Sequence, residues 1–139
     1  MTSPTFILDP TLAKDTVEVV RLDICRVLLI RDKTYPWVIL VPAIAEMRDL
    51  DDLSKHQRNQ VMAEVDLTSK AMKLIFHPHK MNIASLGNVV EQLHIHVIAR
   101  YRDDPAWPAS VWGVHPAVDY QDDQRATIIA DLSKALLVN

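Results

Sequence analysis

From Gln92 to Val97 polar and apolar side chains take strict turns, Gln-Leu-His-Ile-His-Val. Successive side chains of a β-strand point to opposite faces, so the pattern predicts a half-buried strand. Gln92, His94 and His96 are expected on one face, with Leu93, Ile95 and Val97 on the other. The apolar face can pack beneath a helix. The polar face then presents two imidazoles roughly 7 Å apart, twice the rise per residue.

Other segments supply partners for such a strand. Thr16 to Asp23 alternates loosely around Val17, Val19 and Leu22, while Cys25–Ile30 and Trp37–Val41 are apolar runs. Asp32 to Pro36 lies between these runs as a hairpin connection, and Pro42 ends the second. Lys80 to Ser85 reads as a further strand. A helix fits Ser54 to about Phe76, with Ser54 as N-cap and Gln57 in the capping-box position. Val61, Val65, Thr68, Met72 and Ile75 give it one apolar stripe, and Pro78 stops it. After an irregular stretch rich in proline and tryptophan, a last helix is expected from about Tyr120 to Leu136. Strands, a long helix and more strands predict an α+β domain with a mainly antiparallel sheet.

Length and composition bound the function. The 139 residues fit one domain with one core. A net charge of −3 leaves no cation excess for a nucleic-acid polymer, although a few local donors can hold a small anion. The apolar runs are too short to span a bilayer, so no membrane partner is expected. Met1 to Pro10 lacks a basic stretch followed by an apolar one, and the lone Cys25 cannot form an internal disulfide, from which a cytoplasmic location is expected. Cys25 itself reads as a buried small hydrophobe. Gly87 and Gly113 are the sole glycines, which excludes the usual glycine-rich phosphate loops.

The chemistry concentrates on the paired histidines. A neutral imidazole is a nucleophile near pH 7, and a second one on the same face, when protonated, can hold a phosphate or assist a leaving group. Other readings compete. The rings can be ordinary half-exposed strand residues, or a His-x-His metal pair. No nearby carboxylate or cysteine completes a metal set, since Glu91 belongs to the opposite face of a regular strand. His77-Pro-His79, just past a helix end, reads as a solvated turn. Arg100 and Arg102 lie just beyond the motif, where either could meet a phosphate or simply solvate a surface.

Gly87 to Ile98 resembles the signature of the histidine triad (HIT) family of nucleotide hydrolases and transferases, His-φ-His-φ-His-φ-φ with φ hydrophobic. The likeness extends to the strands Val27–Asp32 and Trp37–Pro42 and to the helix from Ser54, covering most of Ile24 to Arg100. It implies an α+β, HIT-like fold: a mainly antiparallel five-stranded sheet with one long helix and a C-terminal helix. The single domain would span residues 1–139, with a core at about 16–101 and a Trp/Pro-rich segment and helix at 102–139. It implies attack by His94 on a nucleotide α-phosphate, through a covalent nucleotidyl-histidine, with His96 and Gln92 at the phosphate and leaving group. Asp32 matches the ribose-contacting position, and Asn82, Gly87 and Asn88 match phosphate-contacting ones. The tail Asp103–Gly113 is similar to that of a bacterial branch, in which Trp107 would line the site. The implied ligand is a purine nucleotide or nucleotide conjugate, the implied assembly a homodimer, and no cofactor or metal is required.

The chain departs from the family pattern at three places. Gln92 replaces the first histidine, Trp37 stands where many members have a further histidine, and Val89 replaces a serine or threonine. Glutamine still donates and accepts hydrogen bonds but carries no charge. A nucleotide-binding module with little turnover is therefore the first alternative, and a His-x-His metal-binding protein the second.

Overall fold

The computed structural model describes residues 4–137. A short helix, α1 (Pro10–Asp15), opens it and leads directly into β1 (Thr16–Arg21). Strands β2 (Cys25–Ile30) and β3 (Trp37–Pro42) follow, then the long α2 (Lys55–Phe76), β4 (Lys80–Ser85), β5 (Ile95–Arg100) and α3 (Asp122–Leu137). The strands form one sheet in the order β1-β2-β3-β5-β4, and every neighbouring pair is antiparallel. This is the α+β architecture expected from the sequence.

Local chemistry explains most boundaries. Asp9 caps α1 by accepting from the N–H groups of Thr11 (2.8 Å) and Leu12 (3.4 Å), with Pro10 at the first helical position, where its missing N–H costs nothing. At α2 the capping box forms: Ser54 Oγ accepts from Gln57 N–H at 3.1 Å, and Gln57 Oε1 accepts from Ser54 N–H at 2.8 Å. His77 closes α2 in the left-handed conformation (φ 48°), and Pro78 prevents continuation. Val61, Val65, Thr68 and Met72 are fully buried, so the predicted stripe is the packing face.

The sheet separates two layers. On one face Val27, Leu29, Val38, Leu40, Ile95, Val97 and Ala99 pack with Val61, Val65 and Met72 of α2 and Leu132 and Leu136 of α3. Burying such side chains contributes roughly 1.5–3 kcal/mol each. A buried carboxylate, Glu64 of α2, ties helix to sheet by accepting from the N–H groups of Cys25 (2.8 Å) and Ile24 (3.1 Å). Burial, reinforced by the charge of Glu64, raises the Cys25 thiol well above its ordinary range, which makes it inert packing.

The other face of β5 is covered by residues 101–117. Its anchor is Arg100, 1 % exposed. Arg100 donates to both carboxylate oxygens of Asp104 (Nε 2.8 Å, Nη2 3.0 Å), to Asn82 Oδ1 (2.8 Å) and to the Ala109 carbonyl (2.8 Å). The Tyr35 and Trp107 rings flank its guanidinium, each centroid 5.6 Å away. Asp104 also accepts from the N–H groups of Tyr101, Ala106 and Trp107. Desolvation pushes its carboxyl up, but the Arg100 bonds and these N–H groups outweigh that and hold it at about 2. Arg100 is thus a structural ion and not a surface or phosphate-facing arginine.

Candidate active site

Strand β5 begins at Ile95, three residues later than the alternation predicts. The segment before it bonds elsewhere: Leu93 N–H donates to the Met47 carbonyl (2.9 Å), across the loop that leads to α2. Leu93 still reaches the helix-side core, and His94 still joins His96. Gln92 does not share their contacts. Its Oε1 accepts from Asp9 N–H (2.8 Å) and its Nε2 donates to the Ile7 carbonyl (2.9 Å). The side chain predicted beside the imidazoles instead clasps the N-terminal segment.

The two imidazoles are buried, each 6 % exposed, and their centroids lie 4.9 Å apart at an interplanar angle of 69°. This is closer than the strand rise alone predicts, because the rings turn edge to face. The tautomer of each follows from its partners. His94 Nδ1 lies 2.7 Å from the Gln92 carbonyl, which can only accept, so Nδ1 carries the proton. His94 Nε2 therefore holds a lone pair, and no described residue hydrogen-bonds to it.

His96 is arranged the other way round. The Trp37 indole N–H donates to His96 Nδ1 at 3.0 Å, so Nδ1 is the bare nitrogen. Nε2 carries the proton and donates to the Leu86 carbonyl at 3.3 Å. Burial first, then the adjacent His94, lowers His96 to about 4, against a smaller opposing effect of the Leu86 bond. This shift favours the neutral form of His96 at pH 7.

Two clefts lie near the pair, separated from the buried rings by the residues that touch them; neither imidazole itself lines either cleft. One, of about 330 Å³, is lined by Asp32, Trp37, Trp112, Gly113, His115 and their neighbours. It adjoins His96, because Trp37 (5.7 Å) and Trp112 (5.0 Å) both meet that ring. Asp32 is buried there; its Oδ1 accepts from Thr34 N–H (3.0 Å) and Val118 N–H (3.3 Å), while Oδ2 has no hydrogen bond among the described residues. The second cleft, of about 370 Å³, is lined by Arg48, Asp49, Ser85, Leu86, Gly87, Asn88 and Glu91. It adjoins both imidazoles, since Leu86 bonds His96 and a Cβ on Gly87 would stand 3.7 Å from His94 Cε1. The same Cβ would lie 2.7 Å from the Val90 carbonyl oxygen, so only glycine fits beneath His94.

Among the residues singled out in the sequence, Asp32, Gly87 and Asn88 border these clefts. Asn82 does not, because its carbonyl oxygen is taken by Arg100. Trp107 does not either: it packs on His79 (5.4 Å) and Arg100, and Trp112 stands at His96 in its place. Sequence reasoning treated Trp37 as a lost histidine, yet its indole is the donor to His96; its place on a strand beside the motif was the signal. Among the described residues, no three His, Cys, Asp or Glu side chains gather as a metal site, and no helix is long and apolar enough to cross a membrane.

A five-stranded antiparallel sheet with α2 on one face and paired imidazoles at the start of β5 on the other is the arrangement of a histidine triad protein. The family model described as the HIT domain matches residues 12–103, and the chain belongs to this family. It is similar to a histidine triad protein from Marinobacter aquaeolei VT8, with 42 % identity, 97 % of this chain and 98 % of that one covered, and a TM-score of 0.94. A histidine triad protein from Bradyrhizobium japonicum is 38 % identical over 96 % of this chain and 99 % of its own, with a TM-score of 0.94. One from Sinorhizobium meliloti 1021 is 35 % identical over 94 % and 97 %, with a TM-score of 0.92. No curated protein matches the chain. Membership of the family supports a function in nucleotide binding, hydrolysis or transfer.

Proposed function

We propose that this chain is a nucleotide phosphohydrolase or nucleotidyl transferase in which His94 Nε2 attacks the α-phosphorus. The observation that carries this reading is the bond from His94 Nδ1–H to the Gln92 carbonyl, which leaves Nε2 as the nucleophilic nitrogen. On attack, the Nε2–P bond forms, the bond from phosphorus to the leaving group breaks, and the leaving group departs with the electron pair and takes a proton from water. The phosphorylated ring is then an imidazolium. The Gln92 carbonyl faces its Nδ1–H and stabilises the new positive charge. Gln92 thus serves through its main chain, while its side chain fixes the segment by holding Ile7 and Asp9. Water or another acceptor breaks the N–P bond, releases the nucleotide and restores the neutral ring.

The clefts divide the substrate between them. The nucleoside occupies the one lined by Trp37 and Trp112, with Asp32 Oδ2 accepting from ribose hydroxyls and an indole face against the base. A purine offers the larger surface to such a face. The leaving group lies toward Arg48 and Asn88, with N–H groups near Gly87 beside the phosphate. A second copy of the chain joins along β4, one of the two edge strands of the sheet, where Ile83 and the nearby Leu86 and Val89 are exposed.

The test is release of AMP from an adenosine phosphoramidate, with quenched turnover mixtures examined by mass spectrometry. Wild type is expected to turn over and to carry one AMP on His94, and His94→Ala to lose at least about a hundredfold in rate. Wild type and variant that bind AMP equally and are equally inert would make this a binding module. Stoichiometric zinc lost in His96→Ala would make it a metal-binding protein.

A further inference from the structure

The rings around His96 do more than fill space. Trp37 lies on β3 directly opposite Ile98 of β5, so His96 is its diagonal cross-strand neighbour, a separation that an indole can bridge. The bridge is made: the indole N–H reaches His96 Nδ1 at 3.0 Å, an ordinary hydrogen-bond length. The indole is held in turn by two edge contacts, Tyr35 at 6.4 Å and 71° and Trp112 at 6.0 Å and 86°. An indole N–H has no acceptor form, so it cannot tolerate a proton on the nitrogen it faces.

The opposite side of His96 is built differently. Its Nε2–H meets the Leu86 carbonyl at 3.3 Å, beyond the usual N–H···O range. A phosphoryl oxygen between the clefts could take that proton with little loss. One nitrogen of His96 is thus held firmly and the other is held loosely.

We propose that Trp37 is a positioning residue that locks His96 in the Nε2–H tautomer, so that the imidazole meets the substrate as a neutral hydrogen-bond donor and not as an acid. This inference rests on the proposed reaction only for the substrate that receives the proton; the lock itself is a property of the free protein. The titratable or charged groups around His96 are His94 beside it and, lining the cleft that the two tryptophans share, Asp15, Arg31, Asp32 and His115. None of these supplies the Nδ1 donor that Trp37 supplies.

The experiment is long-range ¹H–¹⁵N correlation on the full chain labelled in histidine and tryptophan. In wild type the His96 ring is expected to show a bare Nδ1 and a protonated Nε2, with a scalar coupling between Trp37 Nε1 and His96 Nδ1 across the hydrogen bond. Trp37→Phe should lose that tautomer preference, because Nδ1 then faces no donor. Trp37→His, whose ring nitrogen can accept as well as donate, should not restore the preference in full. With an adenosine phosphoramidate, Trp37→Phe should lower kcat about 3–10-fold, the worth of one hydrogen bond. A wild-type ring with Nδ1 protonated, or without the coupling, overturns the proposal and needs no variant. An unchanged tautomer in Trp37→Phe overturns it as well. A lock confirmed in a protein whose turnover does not depend on His94 would overturn the reaction and leave the lock standing.

Discussion

Two histidines two positions apart carry opposite protonation patterns, and each pattern is set by a partner that can only accept or only donate. His94 faces a carbonyl and keeps its proton on Nδ1; His96 faces an indole and keeps its proton on Nε2. His96 also sets a pH dependence. Its folded value of about 4 lies below the 6.5 of a free imidazole, so the unfolded chain binds the proton first as pH falls. Stability from this group is complete above about pH 6.5 and declines toward pH 4, by at most about 3 kcal/mol. Denaturant titrations at pH 7 and pH 4.5 check the sign: a midpoint that rises on acidification would contradict it. A methyl group placed on Gly87 meets the Val90 carbonyl, so Gly87→Ala should shift the backbone beneath His94. The expected result is a loss of turnover greater than any loss of thermal stability, read by comparing kcat/KM with Tm.

At the scale of elements, α2 was legible almost to its last residue. Its cap, its stripe and its terminal proline are all local signals, and the structure uses each of them. Ser54→Ala should cost about 1 kcal/mol by removing one side of the box, measurable by chemical denaturation. Strands β2 to β4 were also legible, because apolar runs bounded by turns leave few alternatives. The start of β5 was not. Its alternation continues back to Gln92, yet a backbone bond from Leu93 to Met47 draws that segment out of the ladder. The helix α1 was missed because its apolar side is a single buried Leu12, too little to form a pattern. The sequence offered Trp107 at the site, but the choice between Trp107 and Trp112 depends on the Arg100 network. That network joins residues 82, 100, 104 and 109, and no periodicity in the sequence links them.

For the whole molecule, the proposed pairing along β4 predicts the assembly, and the Arg100–Asp104 pair ties the tail to the sheet. Light scattering should give twice the 15.8 kDa chain mass, and Ile83→Asp on the β4 edge should return it to one chain. An unchanged mass in the variant would remove β4 from the interface. Arg100→Met leaves the Asp104 carboxylate buried without its cation and should cost about 3–5 kcal/mol, seen as a lower denaturation midpoint. Asp104 has a folded value of about 2 against an ordinary 3.8, so its contribution, about 2 kcal/mol, is present above pH 3.8 and fades only as pH approaches 2. The HIT domain match ends at residue 103, one position before that counter-charge. A fragment excised where the family match ends would therefore keep a sequestered cation and discard the anion that neutralises it. Charge balance is thus expected to set the smallest autonomous unit beyond the family match, within the tail that the three histidine triad proteins also align with.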